Sequence, residues 1–337
     1  MTKMKKFSID EFSAKKREPL LDYKVYEYNF DEMVEGFAIV RESRSLPLVD
    51  EESDSFYDDA AQLQQRAWDS LVFLTNCYSG GHPIEELAEI YPTIVSYWES
   101  YAVEWQIFQE SEQSTSGTVA ALSLIDTSFA SANQLICFAI LFGWTELINK
   151  ISPIVDYNNP RRDGMLERLI APYIKNRDDL PDDCTRHLPY FKTLKIFQAP
   201  VETRAELMKE YLDDWYHASR REPYYDSHKK GDQFNGYWAW EAAAITYILE
   251  IEDKSYRDAK FYPGDLVEFA KEINAAPQAK LGSGHLELRE KSGQRCPQAG
   301  IWETLDIPLQ RRNFRNGEIM QADNASYGIT VWRYIEG

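Results

Sequence analysis

From Val119 to Phe142 the chain carries a single charged side chain, Asp126, and Gly143 follows as a stop. A helix without a polar face cannot lie on a surface. It has to be covered by neighbours on several sides, so this stretch predicts one central helix running its full length inside an otherwise helical body. Asp126, Asn133, Gln134 and the interspersed Ser and Thr residues set it apart from a membrane span, and no later stretch approaches the ~18 uncharged apolar residues that a span requires.

Amphipathic periods supply the cover. Leu63, Ala67, Leu71, Leu74 and Tyr78 share one helical face that ends at Gly80-Gly81. Pro83, followed by Glu85 and Glu86, opens the next helix, striped by Ile84, Leu87, Tyr91, Ile94, Trp98 and Tyr101, and Pro92 inside it is expected to kink or split it. Between Glu202 and Arg220, Ala205, Met208, Leu212 and Trp215/Tyr216 turn inward, while Glu206, Glu210, Asp213 and Asp214 turn mostly outward. Gly236 to Ala270 reads as two helices joined by a turn, with Asp265 as N-cap of the second. Beyond Pro277 the texture changes to Gly-punctuated, β-branched and aromatic segments such as Ile329 to Ile335, which predict a small β appendage.

Glu241 stands out in this pattern. With Trp238, Ala242, Ile245 and Ile248/Leu249 it falls on the stripe that faces the core. A carboxylate there is either a general acid or base with raised proton affinity, or a structural clamp held by buried donors. Tyr237, Trp238, Trp240 and Tyr247 offer donors within two turns, and no second carboxylate, His or Cys stands at ligand spacing on that face, so the clamp is favoured.

The charge is −18 overall, and the last 47 residues are nearly balanced, with six basic and five acidic residues, which leaves −19 on residues 1–290. Such a body repels nucleic-acid phosphates and anionic lipid and attracts basic partners within a Debye length of about 8 Å. Direct nucleic-acid or membrane binding is therefore not expected. Acidity concentrates at Asp50, Glu51, Glu52, Asp54, Asp58 and Asp59, and again at Asp178, Asp179, Asp182 and Asp183. Cys77, Cys137, Cys184 and Cys296 form no paired spacing, which suits a reducing, cytoplasmic setting. The N-terminus lacks the apolar core of a signal peptide.

Asp213, Asp214 and His217 lie within one helical turn, yet no second cluster completes a ligand set, so no metal or other cofactor is expected. The five histidines are scattered, no Gly-x-Ser-x-Gly elbow occurs, and no Gly-rich loop follows a strand. These absences speak against an enzyme.

Gly236-Tyr-Trp-Ala-Trp-Glu-Ala-Ala-Ala, followed by Phe261-Tyr-Pro-Gly-Asp-Leu-Val, resembles the C-terminal signature of PoNi-type bacterial immunity proteins. Tyr237, Trp238, Glu241, Tyr262, Pro263 and Asp265 carry that likeness. Trp215-Tyr216 and Tyr225 to His228 match its upstream spacing, and Cys77 to Leu87 is similar to its N-terminal element. The resemblance covers roughly residues 20–275. It implies an all-helical fold and neutralisation of a co-encoded nuclease toxin, typically a DNase effector of a type VI secretion system.

The combined expectation is a mainly α protein, bundle-like in two helical halves. A flexible arm is expected at 1–20, helical halves at 21–175 and 190–276, and a small β-rich module at 285–337. The function expected is an acidic, cytoplasmic immunity protein, capable of homo-oligomerising, that binds a basic nuclease domain through its acidic runs. The alternatives are an α-helical enzyme using Glu241 and a toxin adaptor or chaperone that does not inhibit.

Overall fold

The computed structural model describes residues 4–43, 55–111, 119–231, 234–275, 288–305, 309–322 and 329–336. In chain order its helices are α1 (Ile9–Lys15), α2 (Tyr23–Ser43), α3 (Ser55–Gly80), α4 (Ile84–Glu110), α5 (Phe129–Leu141), α6 (Ile148–Asp156), α7 (Gly164–Ile170), α8 (Lys192–Gln198), α9 (Val201–Ala218), α10 (Trp240–Ile248) and α11 (Gly264–Ala275). Strands β1 (Arg289–Lys291), β2 (Gly300–Thr304), β3 (Arg311–Phe314) and β4 (Val331–Glu336) follow. They form one antiparallel sheet in the order β1-β4-β2-β3, so the protein is mainly α with a β appendage.

The apolar stretch does sit at the centre, but only its second half is helical. α5 buries residues on all sides and packs against α3, α4, α6, α7, α10 and α11. Residues 119–128 instead form turns, because Asn159 takes their backbone: its amide donates to the Leu122 carbonyl at 2.8 Å and accepts from Leu124 N–H at 3.0 Å. Asp126 then receives Ser128 N–H at 2.8 Å just before α5 begins.

Pro92 does not split α4, which is continuous from Ile84 to Glu110. Proline has no N–H to offer the carbonyl four residues back, Ala88. Trp144 fills that position, its indole Nε1–H donating to Ala88 O at 2.8 Å. At the other end of the α3–α4 turn, Gly81 adopts φ +94°, and a Cβ there would stand 2.1 Å from the Lys15 carbonyl oxygen. Glycine both stops α3 and admits the N-terminal segment.

That segment is not a loose arm over residues 4–20. Ser8 and Glu11 close a capping box on α1, and Phe12 is buried in the main core. Arg17 stacks over the Tyr78 ring, donates to the Tyr78 and His82 carbonyls at 2.9 and 2.8 Å, and pairs with Asp265 at 2.6 Å. It thereby adds a second donor to the Tyr78 carbonyl in the last turn of α3, which also accepts Gly81 N–H at 3.0 Å, and serves the His82 carbonyl in the turn that follows. Asp265 is spent on this join, since Tyr78 Oη also donates to it at 2.5 Å; it lies inside α11 rather than before it, as the expected N-cap role would require.

Buried side chains of the two expected halves belong to one continuous cluster, from Phe12 to Ala270, which also takes in Leu305 and Val331 from the appendage. The appendage adds a small core of its own: Cys296, Trp302, Phe314, Met320 and Trp332. Arg289 pins it to the helical body, lying 3.6 Å from the Trp144 ring centroid and donating to Gly143 O at 2.9 Å.

Candidate functional site: the Glu241 pocket and the acidic surface

Glu241, in the first turn of α10, is 1% exposed. The expected burial is found, but the donors come from other helices. Tyr211 Oη and Trp215 Nε1, four residues apart on the inner face of α9, each donate to Oε1 at 2.7 Å, and Asn133 Nδ2 of α5 donates to Oε2 at 3.1 Å. Burial raises its proton affinity above the ordinary carboxylate value, and these hydrogen bonds act in the opposite direction. The carboxylate thus ties α5, α9 and α10 together. Local spacing put Tyr237, Trp238, Trp240 and Tyr247 within reach, whereas Tyr211 and Trp215 are legible only as an inward i,i+4 pair on a helix about thirty residues upstream.

Three other signature residues, Tyr237, Trp238 and Tyr262, are joints as well. Ala239 N–H donates to Phe261 O at 2.9 Å, which brings the two halves of the motif together. Tyr237 Oη lies 2.6 Å from His228 Nδ1, and its N–H donates to the buried Glu18 at 3.1 Å. Trp238 Nε1 donates to Ser79 Oγ at 2.8 Å, and Tyr262 Oη donates to Asp253 at 3.2 Å.

Above Glu241 lies a pocket of about 60 Å³. Its floor and walls are Glu241, Asn133, Thr75, Tyr190, Trp215 and Trp240, all buried, and its mouth is formed by the half-exposed Ala130, Gln134, Tyr224, Asn235, Gly236 and Trp238. The rim is fixed. Gly236 has φ +114°, and a Cβ there would meet Ser79 Oγ at 2.4 Å and Trp238 Nε1 at 2.5 Å.

The acidic candidates fall differently. Asp50, Glu51, Glu52 and Asp54 lie outside the described residues; Asp58 and Asp59 lie in α3, where Asp59 is half-buried. Asp178, Asp179, Asp182 and Asp183 are exposed, but three of them have basic partners: Asp179 pairs with Arg162 at 3.1 Å, Asp182 with Arg168 at 2.9 Å and Asp183 with Arg161 at 2.5 Å. Buried Asp163 organises the same segment, capping α7 and accepting from Thr185 N–H at 2.7 Å. The segment is a charged latch across the expected boundary between halves.

A different acidic face is less committed. Glu202, Glu206, Glu210 and Asp213 are exposed on α9 and, at ~100° per residue, fall within an arc of about 80°, opposite the buried Met208, Tyr211 and Trp215. Among the described residues Glu202, Glu206 and Glu210 have no ion-pair partner, while Asp213 has Lys209 at 3.7 Å. Beside this face runs a groove of about 630 Å³ between α8 and α9, bordered by Glu210, Lys192 and Lys195 and floored by Phe191, Leu194 and Leu207. Asp214 is paired with Lys192, so the Asp213, Asp214 and His217 trio does not converge. Among the described residues no group of three or more His, Cys, Asp or Glu side chains is placed to hold a metal ion.

The fold is shared with a solved protein. The crystal structure of protein PA2201 from Pseudomonas aeruginosa is similar with a TM-score of 0.63 at 20% identity, over 77% of this chain and 92% of that one, a likeness that speaks for fold alone. Residues 161–266, which span α7 to the start of α11 and include Glu241 with its α9 donors, match the family of PoNe immunity proteins (PoNi), C-terminal. The segment is a PoNi-type C-terminal domain, as the signature residues implied, and its family is one of immunity proteins. No curated protein matches the chain. Among the described residues no helix is long and apolar enough to cross a membrane.

Proposed function

We propose that the protein is a cytoplasmic immunity protein that binds and neutralises a cognate nuclease toxin, a DNA-degrading effector of type VI secretion, through its acidic surface. The observation that carries this reading is the PoNi match over residues 161–266. Charge supports it. A nuclease that grips phosphates needs a basic cleft, and a body of −19 attracts such a cleft and speeds the encounter.

Within that field the α9 face is the principal contact, because Glu202, Glu206 and Glu210 have no ion-pair partner among the described residues and the apolar groove beside them can take side chains from the toxin. The run at 50–59 and the Asp178 to Asp183 segment add to the same field. The protein acts by occupying the toxin and performs no chemistry of its own; Glu241 holds helices. Co-expression with the adjacent toxin gene, pull-down and a nuclease assay on the complex test this. A stable complex without nuclease activity, and cells that survive, are expected. Absence of both complex and protection overturns the reading, and a complex that still cuts DNA makes the protein an adaptor instead.

A further inference from the structure

The buried carboxylates of this protein are neutralised in recognisable ways. Glu99 pairs with Lys150, Glu167 with Arg162 and Arg177, Glu222 with Arg186, Asp253 with Arg257, and Glu303 with Arg311 and Arg333. Asp163 and Glu18 accept backbone N–H groups instead. Glu241 is 1% exposed, yet among the described residues it has no cationic partner. Its neutral donors are Tyr211, Trp215 and Asn133, and it borders a pocket that opens outward.

We propose that this pocket is a receptor for one alkylammonium group, with Glu241 as counter-ion and Tyr190, Trp215, Tyr224, Trp238 and Trp240 as aromatic walls. An ammonium over aromatic faces is attracted by their quadrupoles, most strongly where water is excluded, and a carboxylate at the base of such a box selects cations over neutral groups of the same shape. The size fits. A volume of about 60 Å³ holds an ammonium and the methylenes next to it, and is too small for a nucleotide or an aromatic ring. The mouth is pre-organised by the Gly236 conformation and the Ser79 hydrogen bonds, so little ordering accompanies entry.

The cation has two possible sources, a lysine side chain of the toxin or a free amine. The toxin lysine is the source proposed, and that part rests on the function above; the ammonium chemistry does not. The experiment therefore has two arms. In the first, the purified full-length protein is titrated with n-butylamine at neutral pH and, in parallel, with neutral 1-butanol, read by tryptophan fluorescence and calorimetry. Saturable binding of the amine, absent with the alcohol and weakened about tenfold or more in Glu241→Gln, is expected. A wild-type protein that shows no saturable amine binding up to tens of millimolar overturns the proposal. Trp238→Leu, which alters the mouth and leaves the helix clamp intact, provides the second variant should Glu241→Gln fail to fold; unchanged amine binding in folded Trp238→Leu also overturns it.

In the second arm n-butylamine is added to the protein–toxin complex. Loss of amine binding in the complex, together with weaker toxin binding by Trp238→Leu, assigns the pocket to a toxin lysine. Amine binding that persists unchanged in the complex assigns it to a free amine and removes the toxin from the pocket, while the immunity function stands or falls by the nuclease assay alone.

Discussion

Single residues here do work that helical periodicity does not reveal. Trp144 takes up the carbonyl that Pro92 leaves free in α4, and the same ring supports Arg289 of the appendage. Trp144→Phe keeps an aromatic surface for Arg289 but strips the Ala88 carbonyl of its donor. A buried unsatisfied acceptor costs about 1–3 kcal/mol, so urea denaturation should show the unfolding free energy in water reduced by that amount, read as a lower midpoint with an unchanged slope. His82 offers a second test. It is buried, stacked at 4.1 Å on Phe7, with Nε2 at 2.8 Å from Tyr26 Oη, and burial, with Arg17 and Lys15 nearby, pushes its pKa down from 6.5 to about 4. The unfolded chain binds the proton more readily. Stability contributed by neutral His82 is therefore complete above about pH 6.5 and is lost as pH falls towards about 4, by a limit of ~3 kcal/mol. Glu86, 4.0 Å from Nδ1, faces the ring, and Glu241, whose proton affinity burial raises, titrates with the opposite sign, so the comparison to make is between the wild type and His82→Gln. The variant should lose less stability between pH 7 and pH 5; equal losses would contradict the assignment.

At the scale of elements, α1 shows how a segment that reads as a polar arm becomes part of the core. Seven residues are too few for an isolated helix, and what holds them is Phe12 underneath and Arg17 beyond the C-terminal end. Arg17→Ala removes the pair with Asp265 and the bonds to the Tyr78 and His82 carbonyls. We expect a loss of roughly 1–3 kcal/mol and, more tellingly, faster protease cleavage and amide exchange within residues 4–20 than elsewhere. The α3–α4 turn was readable because its signals are local: Gly81 cannot be replaced at φ +94°, and Pro83 opens the following helix. The start of α5 was not readable, because Asn159, beyond the end of α6, decides it by capturing the Leu122 carbonyl and the Leu124 N–H.

For the whole molecule, the relevant quantity is how much of the acidity is uncommitted. Composition gives a body of −19 but does not separate carboxylates that already hold arginines, as at Asp179, Asp182 and Asp183, from those that face solvent alone, as at Glu202, Glu206 and Glu210. Reversing two of the latter in Glu206→Lys/Glu210→Lys should leave the melting temperature nearly unchanged, since both are exposed. It should slow association with the toxin about tenfold or more at low ionic strength, an effect that shrinks as salt screens the field. Stopped-flow association at two salt concentrations checks this, and unchanged rates would remove α9 from the interface.

Sequence alone determined the class of this protein. A stretch without a polar face had to be surrounded, amphipathic periods supplied the surrounding helices, the Gly-rich tail broke the helical pattern, and the Gly236 to Val267 motif carried the family. All of these are properties of neighbouring residues or of total charge. Tertiary structure decided the rest: which donors hold Glu241, that the N-terminal segment docks, that the two halves share one core, and which carboxylates remain unpaired. Each of these depends on side chains far apart in the chain meeting at hydrogen-bond distance, and periodicity within one helix carries no information about which other helix will lie against it.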